Sequence, residues 1–173
     1  MINPKEIKNQ FIEELLGRNI KKVLDLGCGE MLLSKRFLEK GALVKGIDIR
    51  EPSIIPEGAI FVKGNILKEL FEKNCDLVIS SLILHFFQKE YALEVLKKMK
   101  DSTILGGYNF LILMSKDDSL YNQEKFFPSL EEIKDIYSNW DLIKNLEDET
   151  ELEEHSGLPK HSHRLIFLIF KKN

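Results

Sequence analysis

The sequence has little of what marks several protein classes. Only two cysteines, Cys28 and Cys75, occur in 173 residues, and they lack the spacing of a metal or disulfide framework. No apolar run approaches the roughly 18 residues that a membrane-spanning helix needs. Met1-Ile2-Asn3-Pro4-Lys5 lacks the basic-then-apolar plan of a signal peptide. There is no surplus of positive charge: 25 Lys and Arg stand against 28 Asp and Glu, a net charge of −3. That balance speaks against a sequence-independent nucleic-acid binder. Internal repeats and low-complexity linkers are missing too, so one domain over residues 1–173 is expected. The expected setting is cytoplasmic, with neither nucleic acid nor membrane as partner, and oligomeric state is not legible. Histidine is also scarce, yet three of the four, His155, His161 and His163, crowd into nine residues near the C-terminus.

What is present is an alternation of strand and helix signals. Asn3 and Pro4, with Glu6 behind them, make a helix start, and Ile7, Phe11, Ile12, Leu15 and Leu16 share one helical face up to Gly17. Lys21–Leu26 reads as a strand running into the turn Gly27-Cys28-Gly29, and Met31–Lys40 as a helix closed by Gly41. Strands are expected at Ala42–Ile49 and Ala59–Lys63, and Pro52 and Pro56 argue against a helix between them. The nearly continuous apolar run Asp76–Leu84 suits a central parallel strand. An amphipathic helix over Gln88–Lys100 follows, then Gly106-Gly107 and a strand over Tyr108–Met114. Ser129 and Glu132 form a capping box for a helix to about Ser138. Strands over Trp140–Asn145, extending toward Glu149, and Arg164–Phe170 have no helix between them and must pair antiparallel. The pattern predicts an α/β fold: a doubly wound, Rossmann-like seven-strand sheet, mostly parallel, with a reversed C-terminal strand.

In such a sheet the ligand crevice lies beyond the carboxyl ends of the strands, where the first glycine turn sits. Gly27 and Gly29 let backbone approach a ligand, and the following helix start offers N–H groups. Gly-x-Gly alone is a weak signal that any tight turn explains. Asp48, 21 residues after Gly27, stands where a carboxylate accepts from ribose hydroxyls, or else caps the turn into Arg50. A dinucleotide fingerprint wants a third glycine at position 32, where this chain has Leu32, which disfavours a nicotinamide-dependent oxidoreductase. S-adenosyl-L-methionine has no pyrophosphate, and its tail asks for the first glycines and a carboxylate such as Asp25.

Val23-Leu24-Asp25-Leu26-Gly27-Cys28-Gly29, Lys45-Gly46-Ile47-Asp48, Lys63-Gly64-Asn65-Ile66-Leu67 and Cys75-Asp76-Leu77-Val78-Ile79-Ser80-Ser81 fall in order along the chain. As a set they resemble the motifs of the class I S-adenosylmethionine-dependent methyltransferases. The resemblance implies cofactor contacts from Asp25, Gly27, Cys28, Gly29, Asp48, Ile49, Asn65, Ile66 and Ser80. It also departs in places: Met31 stands where a glycine is usual, Asn65 replaces an acidic residue, and a Pro-containing loop replaces a helix. A cofactor-binding module without catalysis stays open beside the enzyme.

Gly106-Gly107-Tyr108-Asn109, Phe126-Phe127-Pro128, Ile136-Tyr137-Ser138-Asn139-Trp140 and the acidic stretch from Asn145 resemble, more loosely, the tellurite-resistance methyltransferase family. That resemblance implies methyl transfer to a small chalcogen oxyanion, with the segment from His155 to Arg164 involved. An oxyanion lone pair is already nucleophilic and asks for cations and hydrogen bonds more than for a base. His155, His161, His163 and Arg164 are therefore catalytic candidates, with His161 and His163 on one strand face and Arg164 on the other. Solvated loop residues beside an acidic run, or a metal site, are the competing readings, and no metal is assigned. His85, just past the fourth strand, and Tyr121, on the loop after the fifth, are substrate-contact candidates that equally suit packing roles.

Overall fold

The computed structural model describes residues 1–152, 154 and 159–173. Its elements are α1 (Pro4–Leu16), β1 (Lys22–Leu26), α2 (Lys35–Leu38), β2 (Leu43–Asp48), β3 (Ile60–Lys63), β4 (Cys75–Ser81), a 3-10 turn (Leu84–Phe86), α3 (Lys89–Ser102), β5 (Thr103–Met114), α4 (Leu130–Ile136), β6 (Trp140–Glu149) and β7 (Arg164–Lys172). The strands form one sheet in the order β3-β2-β1-β4-β5-β7-β6. β1 to β5 are parallel, and β7 runs antiparallel to both β5 and β6. The doubly wound sheet with one reversed C-terminal strand is thus the observed architecture. Strand order reverses between β1 and β4, which opens a crevice at their carboxyl ends.

Central strands are apolar on both faces because helices cover both. Val23, Leu77, Ile79, Phe110, Ile112 and Phe167 pack with Phe11, Ile12 and Leu15 of α1 and Phe37 of α2. Their neighbours Leu24, Leu26, Val78, Leu111 and Leu168 face the other way, onto Val95, Leu96 and Met99 of α3 and Ile133. The period of two along each strand divides one apolar run between two cores. Phe11 ties α1 to the reversed strand, its ring 5.8 Å from Phe110 and 5.5 Å from Phe167. Asn3 caps α1 by accepting the N–H groups of Lys5 and Glu6, and Ser129 caps α4 by accepting that of Glu132.

Three boundaries differ from expectation by more than two residues, each for a local reason. The helix expected over Met31–Lys40 shrinks to Lys35–Leu38, because Met31 has φ 57° and the chain is still turning there. The strand expected to reach Leu84 stops at Ser81, because Leu82 has φ 52°. The strand expected to begin at Tyr108 begins at Thr103, so the double glycine lies inside it, at a register break opposite Cys75 and Leu77. A buried chain of hydrogen bonds spans that break: Tyr137 donates to Asn109, Asn109 to Thr103, and Thr103 to the Met99 carbonyl. Among the described residues, no helix is long and apolar enough to cross a membrane.

Candidate active site

The turn after β1 is set by backbone rather than side chains. Gly27 has φ 66° and Gly29 φ 49°, both left-handed conformations that favour glycine. A Cβ on Gly27 would also come within 2.7 Å of Ile83. The N–H groups of Gly27 and Cys28 both donate to the Ile47 carbonyl, so the turn is anchored on β2. Behind it, Gly46 leaves room for the Cys28 and Met31 side chains, since a Cβ there would stand 2.7 Å from Cys28 Sγ. Burial pushes the Cys28 thiol up, which keeps it a neutral packing group.

Asp48 closes the arrangement. One oxygen of its buried carboxylate accepts the Gly29 N–H at 2.9 Å and the other accepts the Arg50 N–H at 2.9 Å. Asp48 therefore does cap the turn into Arg50. Each oxygen keeps a second lone pair, so capping and hydroxyl recognition are compatible.

A cavity of about 830 Å³ opens at this turn, with Asp25, Gly27, Cys28, Glu30 and Ser81 in its wall. Burial, opposed by a hydrogen bond from Ser34 and aided by the nearby Asp48 charge, raises the Asp25 carboxyl to about 6. Glu30 is held by Ser53, whose N–H donates to it at 2.9 Å. Asn3, Pro4, Lys5, Lys8 and Asn9 of the α1 start line it as well. The cavity thus brings acidic groups together with basic and amide groups.

A second cavity of about 520 Å³ adjoins the first, and Pro4, Lys8 and Leu82 belong to both. His163 lines it and is nearly buried. Its Nδ1 lies 3.2 Å from Asp118 Oδ2, and that carboxylate is fully buried. Asp118 also accepts the N–H groups of Arg164 and Leu120, both at 2.8 Å, so it is fixed from three sides. Thr150 joins in: its hydroxyl accepts the His163 N–H at 2.9 Å, and its own N–H donates to the His163 carbonyl. His85 lines the same cavity, its ring 4.2 Å from Phe86 and 6.0 Å from Phe127. Its buried Nδ1 has no hydrogen-bond partner among the described residues. Burial lowers the imidazole to about 4, so the ring is neutral near pH 7.

The candidate residues thus fall into distinct places. Asp25, Gly27 and Cys28 line the larger cavity, with Gly29 and Asp48 directly behind it. Ile49 is 65% exposed past Asp48, and Ile66 is buried. Asn65 Oδ1 accepts the Leu67 N–H at 2.9 Å, and the Ser80 hydroxyl is buried with no partner among the described residues. His85 and His163 line the smaller cavity, whereas Tyr121 stands outside its lining with its ring edge-on to Phe127. His161 packs edge-on to His163 at 4.8 Å, and its Nδ1 lies 2.8 Å from the Pro159 carbonyl oxygen. Arg164 points to β6, where its Nε donates to Glu147 at 3.1 Å, and lines neither cavity. His155 lies outside the described residues. Among those that are described, no group of three His, Cys, Asp or Glu side chains could hold a metal ion.

Asp118, Lys8, Lys125 and Leu82 line or support the site without having been singled out from sequence. Asp118 had one usable signal, an acidic pair with Asp117 just beyond the carboxyl end of β5. Lys8 had none, because α1 declares only its core-facing side.

Comparison with known proteins gives a consistent set. A family described as "Tellurite resistance protein TehB" matches residues 7–159. The probable S-adenosyl-L-methionine-dependent methyltransferase TehB of Haemophilus influenzae is 31% identical over 144 residues, covering 77% of this chain and 50% of that one. The ubiquinone biosynthesis O-methyltransferase of Pseudomonas fluorescens is 46% identical over a stretch of 50 residues, 29% of this chain and 21% of the relative. The chain spans about half the length of the TehB relatives it matches. The crystal structure of TehB from Haemophilus influenzae superposes with a TM-score of 0.80 at 23% identity, over 95% of this chain and 62% of that one. The 1,6-didemethyltoxoflavin-N1-methyltransferase of Burkholderia thailandensis, with bound 1,6-didemethyltoxoflavin and S-adenosylhomocysteine, superposes with a TM-score of 0.70 at 17% identity, over 96% and 77%. Both superpositions speak for the shared fold.

Proposed function

The chain belongs to the tellurite resistance protein TehB family, and on that premise we propose that it transfers a methyl group from S-adenosyl-L-methionine to a small acceptor. The observation that carries this reading is the pair of adjoining cavities sharing Pro4, Lys8 and Leu82. One suits the cofactor, the other the acceptor, and the shared wall marks where the two would meet.

The residues present fit the cofactor. Its methionine tail carries an ammonium and a carboxylate. Asp25 and Glu30 offer negative charge, while Lys5, Lys8 and Asn9 offer donors. A Cβ built on Gly29 meets nothing within 4 Å, so this backbone faces open space. Asp48 retains lone pairs for ribose hydroxyls, Ile49 is an exposed apolar surface for the adenine, and Asn65 offers an amide oxygen. Cys28, Ile66 and Ser80 support this wall from the buried side. When bound, the cofactor supplies an electrophilic methyl carbon on a sulfonium centre.

The chain's part is alignment and exclusion of water. His163, fixed by Asp118, presents its ring to the acceptor cavity, and Lys8 and Lys125 add cationic groups there. His85 supplies a neutral imidazole with unmet hydrogen-bonding capacity. His161 supports the His163 ring, and His155 and Arg164 belong to the same catalytic segment in this reading. Tyr121 backs the Phe127 wall. The acceptor is a small anion, of which a tellurite- or selenite-type oxyanion is the simplest. A cytoplasmic single-domain enzyme completes the proposal, with no nucleic-acid or membrane partner.

Calorimetry with S-adenosylhomocysteine, followed by a screen of small acceptors read by its release, tests this. Binding together with turnover on any small acceptor is expected. Binding without turnover across the screen would make the chain a cofactor-binding module, and binding of a nicotinamide cofactor instead would overturn the reading.

A further inference from the structure

We infer that the acceptor cavity is built for an organic anion with an apolar body, rather than for a bare oxyanion. The inference deepens the methyltransferase reading and rests on it. Size is the first argument. A three-oxygen oxyanion displaces about as much as three waters, on the order of 90 Å³. The cavity measures about 520 Å³, within the range of roughly 300–1,000 Å³ usual for organic ligands. A bare oxyanion would leave most of it to water.

The walls carry the second argument. Leu82, Phe86, Met114, Phe127 and Leu165 line it, surfaces that gain nothing from an inorganic ion. At its mouth the apolar side chains are left partly in water: Phe86 is 60% exposed and Leu120 39%. The ring of Tyr121, 53% exposed, stacks edge-on against Phe127 at 5.8 Å and extends the same surface. Apolar side chains gathered at a cavity mouth mark a surface that a ligand covers.

Charge is the third argument. The polar groups in the described lining are Lys8, Lys125, His85, His163, Asn122 and Thr150, with no carboxylate among them. The Asp118 carboxylate, which holds His163, has no exposed surface. Lys125 is anchored at the mouth by donating to the Phe86 carbonyl at 3.1 Å, and an ammonium has two further donors for a ligand. Asn122 Oδ1 already accepts the Glu124 N–H, which leaves its amide N–H₂ as the group on offer. A cavity that combines lysine, imidazole and amide donors with leucine, methionine and phenylalanine surfaces recognises a carboxylate on an aromatic or branched carbon frame. Among the described residues of the lining a cationic ligand finds no carboxylate, and a neutral apolar one forgoes the lysines.

Calorimetry on the full chain saturated with S-adenosylhomocysteine tests this, with phenylacetate, indole-3-acetate and 2-mercaptobenzoate as organic anions. The comparators are methyl phenylacetate, benzylamine and selenite. At least one organic anion is expected to bind tenfold or more tighter than each comparator. Lys125→Gln, at an exposed position, is expected to weaken that anion several-fold while leaving the ester unchanged and the melting temperature within a degree or two. Selenite binding as tightly as the best organic anion, ester and acid binding alike, or no organic anion binding would overturn the inference. If S-adenosylhomocysteine itself fails to bind, the methyltransferase reading falls and this inference with it. If it binds and selenite alone turns over, that reading stands and this inference falls.

Discussion

His163 Nδ1 lies 3.2 Å from Asp118 Oδ2, the oxygen that also accepts the Arg164 N–H at 2.8 Å. One buried carboxylate thus fixes both the backbone entering β7 and the imidazole at the acceptor cavity. An Asp118→Asn chain keeps one carbonyl oxygen for the backbone but loses the charge that sets the imidazole tautomer. Turnover is expected to fall at least tenfold, with S-adenosylhomocysteine affinity within about twofold of the parent, about 0.4 kcal/mol. His163→Ala should do the same, and the double variant should cost no more than the worse single one, because the two act as a unit. His155→Ala and His161→Ala beside them show which histidines matter. Unchanged turnover in the His163 variant would remove that residue from the reaction.

With the cofactor bound as proposed, Asp25 is expected to make its affinity dependent on pH. Burial raises its carboxyl to about 6 from an ordinary 3.8, so the folded chain binds this proton more tightly than the unfolded one. Its contribution to stability is greatest below the unfolded value. It declines as pH rises from about 4 to about 6, by on the order of 3 kcal/mol, and is then constant. A cationic ligand end needs the ionised form, so S-adenosylhomocysteine should bind about tenfold more weakly at pH 5 than at pH 7. Asp25→Asn should abolish that slope, weaken binding at pH 7 and raise the melting temperature of the unliganded chain. Calorimetry and thermal melts across pH 5–7.5 check all three.

Asp48 anchors the glycine turn through two backbone N–H groups, and in the proposed reading it also receives the ribose hydroxyls. Asp48→Ala removes the acceptors of the Gly29 and Arg50 N–H groups together. S-adenosylhomocysteine binding should weaken at least tenfold, about 1.4 kcal/mol. Asp48→Asn, which keeps one oxygen, should fall between. Equal binding by all three chains would leave Asp48 with its capping role alone.

Gly46→Ala tests whether β2 shapes the cavity from behind. The added methyl would stand 2.7 Å from Cys28 Sγ and 2.9 Å from Met31 Cε. Met31 has a flexible end that yields, whereas Cys28 sits in the anchored turn. A loss of about 1–3 kcal/mol in stability is expected, together with weaker cofactor binding. Urea melts and calorimetry measure the two. Undiminished binding would show that the turn shifts without consequence.

The sheet was legible because its strands are short apolar runs separated by turn residues, and because Arg164–Phe170 follows β6 without a helix. Element boundaries were less so. Leu82 and Met31 adopt left-handed backbone that nothing in a leucine or methionine announces, and each cut an expected element short. That Gly27, Gly29 and Asp48 belong to one crevice could be read, since each stands at the carboxyl end of a neighbouring strand, and the Gly29 N–H does donate to Asp48. Of the second cavity only His85 and His163 could be read, because Lys8 on α1 and the loop after β5 that carries Asp118 and Lys125 are distant segments that only the folded chain brings to them. Membership of the TehB family, like Leu32, speaks against the nicotinamide alternative.

The first residues of α1 form a wall common to both cavities, and the backbone just ahead of them is stitched to the end of β6. Ile2 N–H donates to Glu149 and the Ile2 carbonyl accepts from Glu151, with the Met1 amino group 4.0 Å from Asp148. Asn173 lies at the other end of the sheet, where Lys172 donates to Lys100 and Thr103 and Asn173 to Asp141. Residues 1–2 and 172–173 therefore stand in unequal relation to the cavities. A strain on Ile2 would pull on the stitch and report, or distort, the filling of either cavity. The same strain on Lys172 or Asn173 would bear on the far end of the sheet.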